Sequence, residues 1–211
     1  NPGSSGKETE LPGGSLSTRE ILQAMVKTYQ GAESYQDQGV VTLSYRYANE
    51  SRRDVSQSAV TWSKPGRLGV RAYQLSLAAD GDRLRAVITD ESTGNMDNQL
   101  LVRPAGKGIS LADLYADPMV RDVLVGGRGG QPVQLELLMQ ENPLAGFLDK
   151  EVSRETLPAA DVEGHACYRI AVTTVDGRYE LWVDQKNFLL RRLAYPAVSF
   201  AGDMLADPQV K

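Results

Sequence analysis

One cysteine and one histidine in 211 residues remove several kinds of chemistry at the outset. A lone cysteine, Cys167, excludes an intrachain disulfide, which is compatible with the cytosol and equally with an envelope protein large enough to fold without staples. Zinc asks for three or four clustered His, Cys or carboxylate ligands, and the soft ones are too few, so neither a metal nor a cofactor is expected. Positive charge is also short: 23 basic against 27 acidic residues give a net charge of −4. Nucleic-acid affinity rests on clustered Lys and Arg, so nucleic acid is not an expected partner. The pairs Arg52-Arg53, Arg83 with Arg85, and Arg191-Arg192 read as decoration of solvated strand faces. No run of 18 apolar residues is present, so no segment reads as a spanning helix. Gly126 to Gly130 lacks the Gly-Lys-Ser/Thr of a phosphate loop and follows a helix rather than a strand; it reads as a loop or lid hinge. Asp80, Asp82, Asp90, Glu91 and Asp97 fall at turns without the spacing of a calcium loop.

What the chain does have is alternation. His165 to Thr174 alternates, breaks at Asp176-Gly177, and returns as Arg178 to Asp184. Leu189 to Tyr195 follows after a turn at Lys186-Asn187. Asp-Gly between alternating runs predicts a tight type I′ hairpin, and the whole predicts an antiparallel meander with one apolar face.

The first folded element is well punctuated. Ser17 to Glu20 fits a capping box, Leu16 with Ile21 fits a hydrophobic staple, and Ile21, Leu22, Met25, Val26 and Tyr29 share one helical face. Gly31 is expected to end this helix in a left-handed conformation. Strands are expected over Gln38 to Ala48, Gln57 to Lys64, Arg67 to Leu77, Arg83 to Asp90 and Gln99 to Arg103. The apolar phase shifts within Arg67 to Leu77, through Tyr73, Leu75 and Leu77, which implies a bulge or partial cover on both faces. Ser110 and Pro118 open two helices, Pro132 opens a third that Asn142-Pro143 ends, and strands resume near Lys150. Helices segregated against an antiparallel sheet make an α+β plan.

Catalysis finds little in this pattern. His165 and Cys167 share a strand face, but a Cys–His nucleophile needs an orienting third group and an oxyanion hole. A strand histidine that merely hydrogen-bonds and a buried inert thiol are the ordinary outcomes, so an enzyme is not expected. The strands instead carry Tyr45, Tyr47, Trp62, Tyr73, Tyr168, Tyr179 and Trp182, whose apolar bodies and polar tips suit a core or a cavity wall.

Residues 1–15 are Gly, Ser, Pro and charge without periodicity, and read as a flexible tether. We expect one domain over residues 16–196 and a tail over 197–211, truncated from a longer chain. The abrupt start is what a lipoprotein cut after its acylated cysteine would leave, with the tether spacing the domain from a bilayer; an ordinary disordered end is the competing expectation.

Ile21 to Tyr29 leading into Gly31-Ala-Glu-Ser-Tyr-Gln-Asp37 and Gly39-Val-Val-Thr-Leu43 resembles the opening of the LolA-like superfamily of envelope lipoprotein carriers. Trp62-Ser-Lys-Pro-Gly-Arg-Leu68 is similar to its Lys/Arg-Pro turn, and Asp80-Gly-Asp82 to the turn that follows. Val162-Glu-Gly164, Cys167-Tyr-Arg-Ile170, Leu181-Trp-Val-Asp184 and Leu190-Arg-Arg192 resemble its closing meander. The resemblance spans Leu16 to Tyr195. It implies an antiparallel, incompletely closed β-barrel (a half-barrel) with helices covering the concave apolar face. It further implies a periplasmic or cell-envelope location and a non-enzymatic role in binding an acyl chain, an acylated protein or a similar amphiphile. On such a fold Val41, Leu43, Tyr45, Val60, Trp62, Leu68, Val70, Ile88, Ile170 and Leu181 would line the cavity. The competing expectation is a sensor or interaction module whose cavity is only core and whose outer face or open edges bind an envelope protein partner.

Overall fold

The computed structural model describes residues 16–47, 50–89, 98–105, 108–126 and 131–196. The tether, the C-terminal tail, most of the glycine loop, and Asp90, Glu91 and Asp97 lie outside these residues. The described chain is α+β. It comprises α1 (Thr18–Gln30), β1 (Ser34–Tyr47), β2 (Glu50–Ser63), β3 (Arg67–Ala72), β4 (Leu75–Asp80), β5 (Arg83–Ile88) and β6 (Gln99–Pro104). Four short helices follow, α2 (Leu111–Tyr115), α3 (Pro118–Gly126), α4 (Val133–Met139) and α5 (Ala145–Leu148). The chain then makes β7 (Ser153–Val162), β8 (His165–Thr174), β9 (Gly177–Asp184) and β10 (Leu190–Ala194). The strands form two antiparallel sheets in meander order, β1 to β6 and β7 to β10, and not one closed barrel.

The capping box at α1 is formed. Ser17 Oγ accepts from the Glu20 amide at 3.3 Å while the Ser17 amide donates to Glu20 Oε2 at 2.8 Å, an arrangement worth about 1 kcal/mol. Ile21, Leu22, Met25 and Tyr29 are buried along one face, each contributing roughly 1.5–3 kcal/mol of transfer free energy. Gly31 differs from expectation. Its φ is −78°, and its amide still bonds Lys27 O at 2.9 Å, so the helix ends without a left-handed residue.

β1 and β2 are longer than their apolar patterns. They pair without a break from Ser34↔Ser63 to Tyr47↔Glu50, so the polar segment Glu50 to Gln57 is strand because its ladder is continuous, not because it alternates. Only Ser58 to Ser63 of β2 goes on to pair with β3. The distal half of the hairpin is therefore a two-stranded arm beyond the rest of the sheet.

The phase shift within Arg67 to Leu77 is neither a bulge nor double cover. Ala72 pairs with Leu75 across a two-residue turn, with Tyr73 at φ 55°. The run is two strands, and reversing direction resets which residues point inward. At the next turn Asp80 Oδ1 accepts from the amides of Asp82 (3.1 Å) and Arg83 (2.9 Å), and Gly81 takes φ 98°. That carboxylate organises the turn itself.

In the second sheet the I′-like turn is at Glu163-Gly164, both with positive φ (53° and 83°). At Asp176-Gly177 the expected type I′ turn is absent. Thr174 pairs directly with Gly177, so Val175-Asp176 is the loop and Gly177 alone takes positive φ, at 124°. Glycine is required there for a second reason: a Cβ would come within 2.7 Å of Pro196.

One core cluster draws on both sheets and on α1 to α4. Leu114, Val120, Leu124, Leu135 and Leu137 are fully buried, and the sheet residues Val60, Leu68, Val70, Leu75, Leu77, Leu84, Ile170, Leu181 and Val183 meet them in that cluster. A polar chain ties the layers. The Leu190 amide donates to Tyr29 Oη (3.3 Å), Tyr29 Oη lies 3.4 Å from Tyr35 Oη, and Tyr35 Oη donates to Asp37 Oδ2 (2.9 Å). Gln134 Nε2 reaches the same oxygen at 2.9 Å. β10, α1, β1 and α4 are thereby linked through hydrogen bonds that a buried hydroxyl cannot forgo cheaply.

Candidate functional site

The clearest hollow is about 290 Å³ and lies between α4, α5 and the inner face of the second sheet. Strand alternation supplies one wall. Tyr179 and Leu181 of β9 point into it, and Leu193 and Tyr195 line it from β10 and just beyond. α4 supplies Val133 and Glu136, one helical step of three apart and so on one face. Gln131, Leu144, Gly146 and Phe147 close the remaining side.

The short α5 is held more firmly than its four residues suggest. Leu144 enters it at φ 56°, with its amide donating to Glu136 Oε1 at 2.8 Å. Arg154 Nη1 donates to Phe147 O (2.8 Å) and Asp149 O (2.7 Å), and Arg19 Nη1 donates to Leu148 O (3.1 Å). These bonds fix α5 to β7 and α1.

Three aromatic rings stand at the wall. Tyr179 lies between Phe147, 4.9 Å away and inclined by 52°, and Tyr195, 6.0 Å away and inclined by 67°. Burial pushes both phenols above their ordinary range, with nearby negative charge adding to it, from Asp176 for Tyr179 and from Glu136 among others for Tyr195. Both therefore remain neutral hydroxyls. Glu136 is the one charged side chain among the described lining residues.

A second, open depression of about 480 Å³ lies on the outer face of the first sheet, floored by small residues such as Ala59, Gly69 and Ala78. It is more open than the hollow beneath α4 and α5.

The residues expected to line a cavity separate into three groups. Val60, Leu68, Val70, Ile88, Ile170 and Leu181 are buried core, and of these Leu181 also lines the hollow beneath α4 and α5. Trp62 is half-buried and packs on the core cluster. Val41, Leu43 and Tyr45 are half-buried on the inner face of the projecting arm, opposite Ser56, Asp54 and Arg52. Trp182 faces away from all of these. It is next to Leu181 on β9 and so on the opposite sheet face, with Arg169 and Arg192 over its ring at 5.1 and 4.7 Å.

Phe147, Tyr195, Glu136 and Leu193 did not emerge from the sequence pattern. Phe147 sits in a helix too short to show periodicity. Tyr195 falls at the fading end of the last strand, and Glu136 is a lone acid on a mostly apolar helix.

His165 and Cys167 do not form a nucleophilic pair. Cys167 Sγ donates to the backbone O of His165 at 3.3 Å, and the residue is fully buried. Burial, with the Asp184 carboxylate behind it, pushes the thiol up and keeps it protonated. His165 Nδ1 instead contacts Asp184 Oδ2 at 3.0 Å. Among the described residues no group of three or more His, Cys, Asp or Glu could hold a metal, and no helix is long and apolar enough to cross a membrane.

No family model matches the chain, and no curated protein matches it. A solved structure similar in shape is that of a DUF1329 family protein from Desulfovibrio piger, 12% identical, with 83% of this chain and 71% of that chain covered at a TM-score of 0.30.

Proposed function

We propose that the protein is a non-enzymatic binding protein of the cell envelope that holds an acyl chain or a similar amphiphile. On this reading the two sheets are parts of a LolA-like half-barrel under its helices, and the N-terminal segment is a lipidated tether in the periplasm. The observation that carries the reading is the half-open, aromatic-walled hollow between α4–α5 and β9–β10, beside the buried core. Its volume of about 290 Å³ is at the lower end of small-ligand pockets. Each acyl methylene taken out of water there contributes about 0.8 kcal/mol. A chain longer than the hollow needs α4 and α5 to move away from the sheet.

The test is native mass spectrometry of the purified protein followed by organic extraction. A bound amphiphile, lost on unfolding, is the expected result. An empty protein that also fails to take up dodecyl ligands defeats the reading.

The projecting arm supports a second reading, a sensor or interaction module for an envelope protein. Val40 and Val55 are 64% and 54% exposed on its outer face, and two isolated strands are marginal in water without a third. Deleting the arm would abolish partner capture on this reading and leave amphiphile uptake untouched.

A further inference from the structure

We propose that the hollow between α4–α5 and β9–β10 selects amphiphiles with a cationic head, a quaternary ammonium or protonated amine, over those with an anionic head. This deepens the proposed function and rests on it. Recognition of a cation by protein without a metal uses two devices, the negative face of aromatic rings and a nearby carboxylate. Both are present among the residues that line this hollow.

Phe147, Tyr179 and Tyr195 come from three separate elements, α5, β9 and the segment after β10, yet their rings form a continuous row, with centroids 4.9 and 6.0 Å apart. They are inclined to each other by 52° and 67° rather than stacked flat, and all three residues line the hollow. A quaternary ammonium, with its diffuse charge and apolar methyls, gives up little hydration to enter such a space.

Glu136 supplies the carboxylate. One of its oxygens accepts the Leu144 amide at 2.8 Å, which fixes the side chain's direction and leaves the acid at the wall of the hollow. No lysine or arginine is among the described lining residues. Among the described lining residues an anionic head would therefore meet a like charge and only neutral amide and hydroxyl donors. The apolar members of the wall, Val133, Leu144, Leu181 and Leu193, serve the hydrocarbon of either ligand equally. They set affinity, and the rings with Glu136 set the head group.

The experiment compares three ligands with one tail: dodecyltrimethylammonium, dodecanoate and dodecanol, titrated into the full chain by calorimetry below their micelle concentrations. The quaternary ammonium is expected to bind at least about tenfold tighter than dodecanoate, with dodecanol between them. Glu136→Gln retains the oxygen that accepts the Leu144 amide and should bring the cation-to-anion ratio down by about tenfold while leaving dodecanol unchanged. Tyr179→Leu should lower the cation's affinity by more than it lowers dodecanoate's. Equal binding of the cation and the anion, or a ratio unmoved in Glu136→Gln, overturns the head-group inference while the cavity remains a binding site. Failure of all three ligands to bind overturns the proposed function and this inference with it.

Discussion

Arg191 donates both Nε (3.0 Å) and Nη2 (2.7 Å) to Oδ2 of Asp184, across the turn that joins β9 to β10. Asp184 is 3% exposed, and its other oxygen accepts the Lys186 amide at 2.8 Å. One carboxylate thus closes a turn, neutralises a guanidinium and receives His165 Nδ1 from β8. Asp184→Ala would leave these donors without their acceptor. Removing one partner of a fully buried pair costs about 3–5 kcal/mol; the Arg191 side chain keeps 27% of its surface in water, so we expect about 2–3 kcal/mol. Urea denaturation checks this, and a loss below about 0.5 kcal/mol would mean the carboxylate has no structural role.

The same carboxylate sets an acid sensitivity. Burial acts to raise its pKa, but the Lys186 amide and the Arg191 guanidinium outweigh that and hold it below its ordinary value of 3.8. A group with a depressed folded value stabilises fully above the unfolded value and loses its contribution as pH falls through the folded one. Wild-type stability should therefore drop below about pH 4, and the Asp184→Asn protein should show a shallower slope there. Equal slopes for the two proteins between about pH 5 and 2 would contradict this assignment.

Where the sequence was readable, one local rule acted alone. Ser17 and Glu20 needed only each other, and the Ile21–Tyr29 stripe needed only one apolar partner surface, so α1 appeared with its cap and its buried face. Pro118 and Pro132 likewise announced the openings of α3 and α4. Tyr73 shows where reading failed: a tyrosine at φ 55° is an uncommon turn residue, and nothing in Ala72-Tyr73-Gln74-Leu75 advertises a reversal. Pairing ahead of Gln57, from Glu50 to Ser56, was hidden for a different reason, since a ladder of backbone bonds requires no apolar alternation. The hollow was legible only in Tyr179 and Leu181, because its other walls come from a four-residue helix and a strand end that meet through long-range contacts.

Leu135 and Leu43 should respond to truncation with losses of very different size. Leu135 is fully buried on α4 within the core cluster, and Leu135→Ala is expected to cost about 2–5 kcal/mol through lost transfer energy and a residual cavity. Leu43 is on the arm, half-buried, outside that cluster and paired with Asp54. Leu43→Ala should cost less than about 1 kcal/mol. Thermal melts of the two variants decide the matter, and a large loss at Leu43 would mean the arm packs on the body of the protein.

Cys167 should be silent to thiol reagents in the native state. Its side chain has no exposed surface, and the raised pKa keeps the thiolate scarce, while the thiolate is the reactive form. Labelling with Ellman's reagent at pH 8 should proceed only as fast as the protein opens, and should become immediate in 6 M guanidinium chloride. Fast stoichiometric labelling without denaturant would show that β8 is open at this position and would return a reactive role to the thiol.

Gly146 offers a way to close the hollow without disturbing the core. It lines the cavity, it lies in α5, and a Cβ built there meets no atom within 4 Å. Its φ is not positive, so a side chain brings no backbone strain. Replacing glycine within a helix restricts the unfolded chain and typically stabilises by about 0.4–1 kcal/mol where the geometry permits. Gly146→Leu should therefore melt at or above the wild-type temperature, and it sets a leucine at the exposed rim of the hollow. Uptake of a dodecyl ligand should fall by at least about tenfold, the worth of two methylenes displaced from the cavity. A stable Gly146→Leu protein that binds the ligand as well as wild type would move the site away from α5, because no other change at the wall accompanies this one.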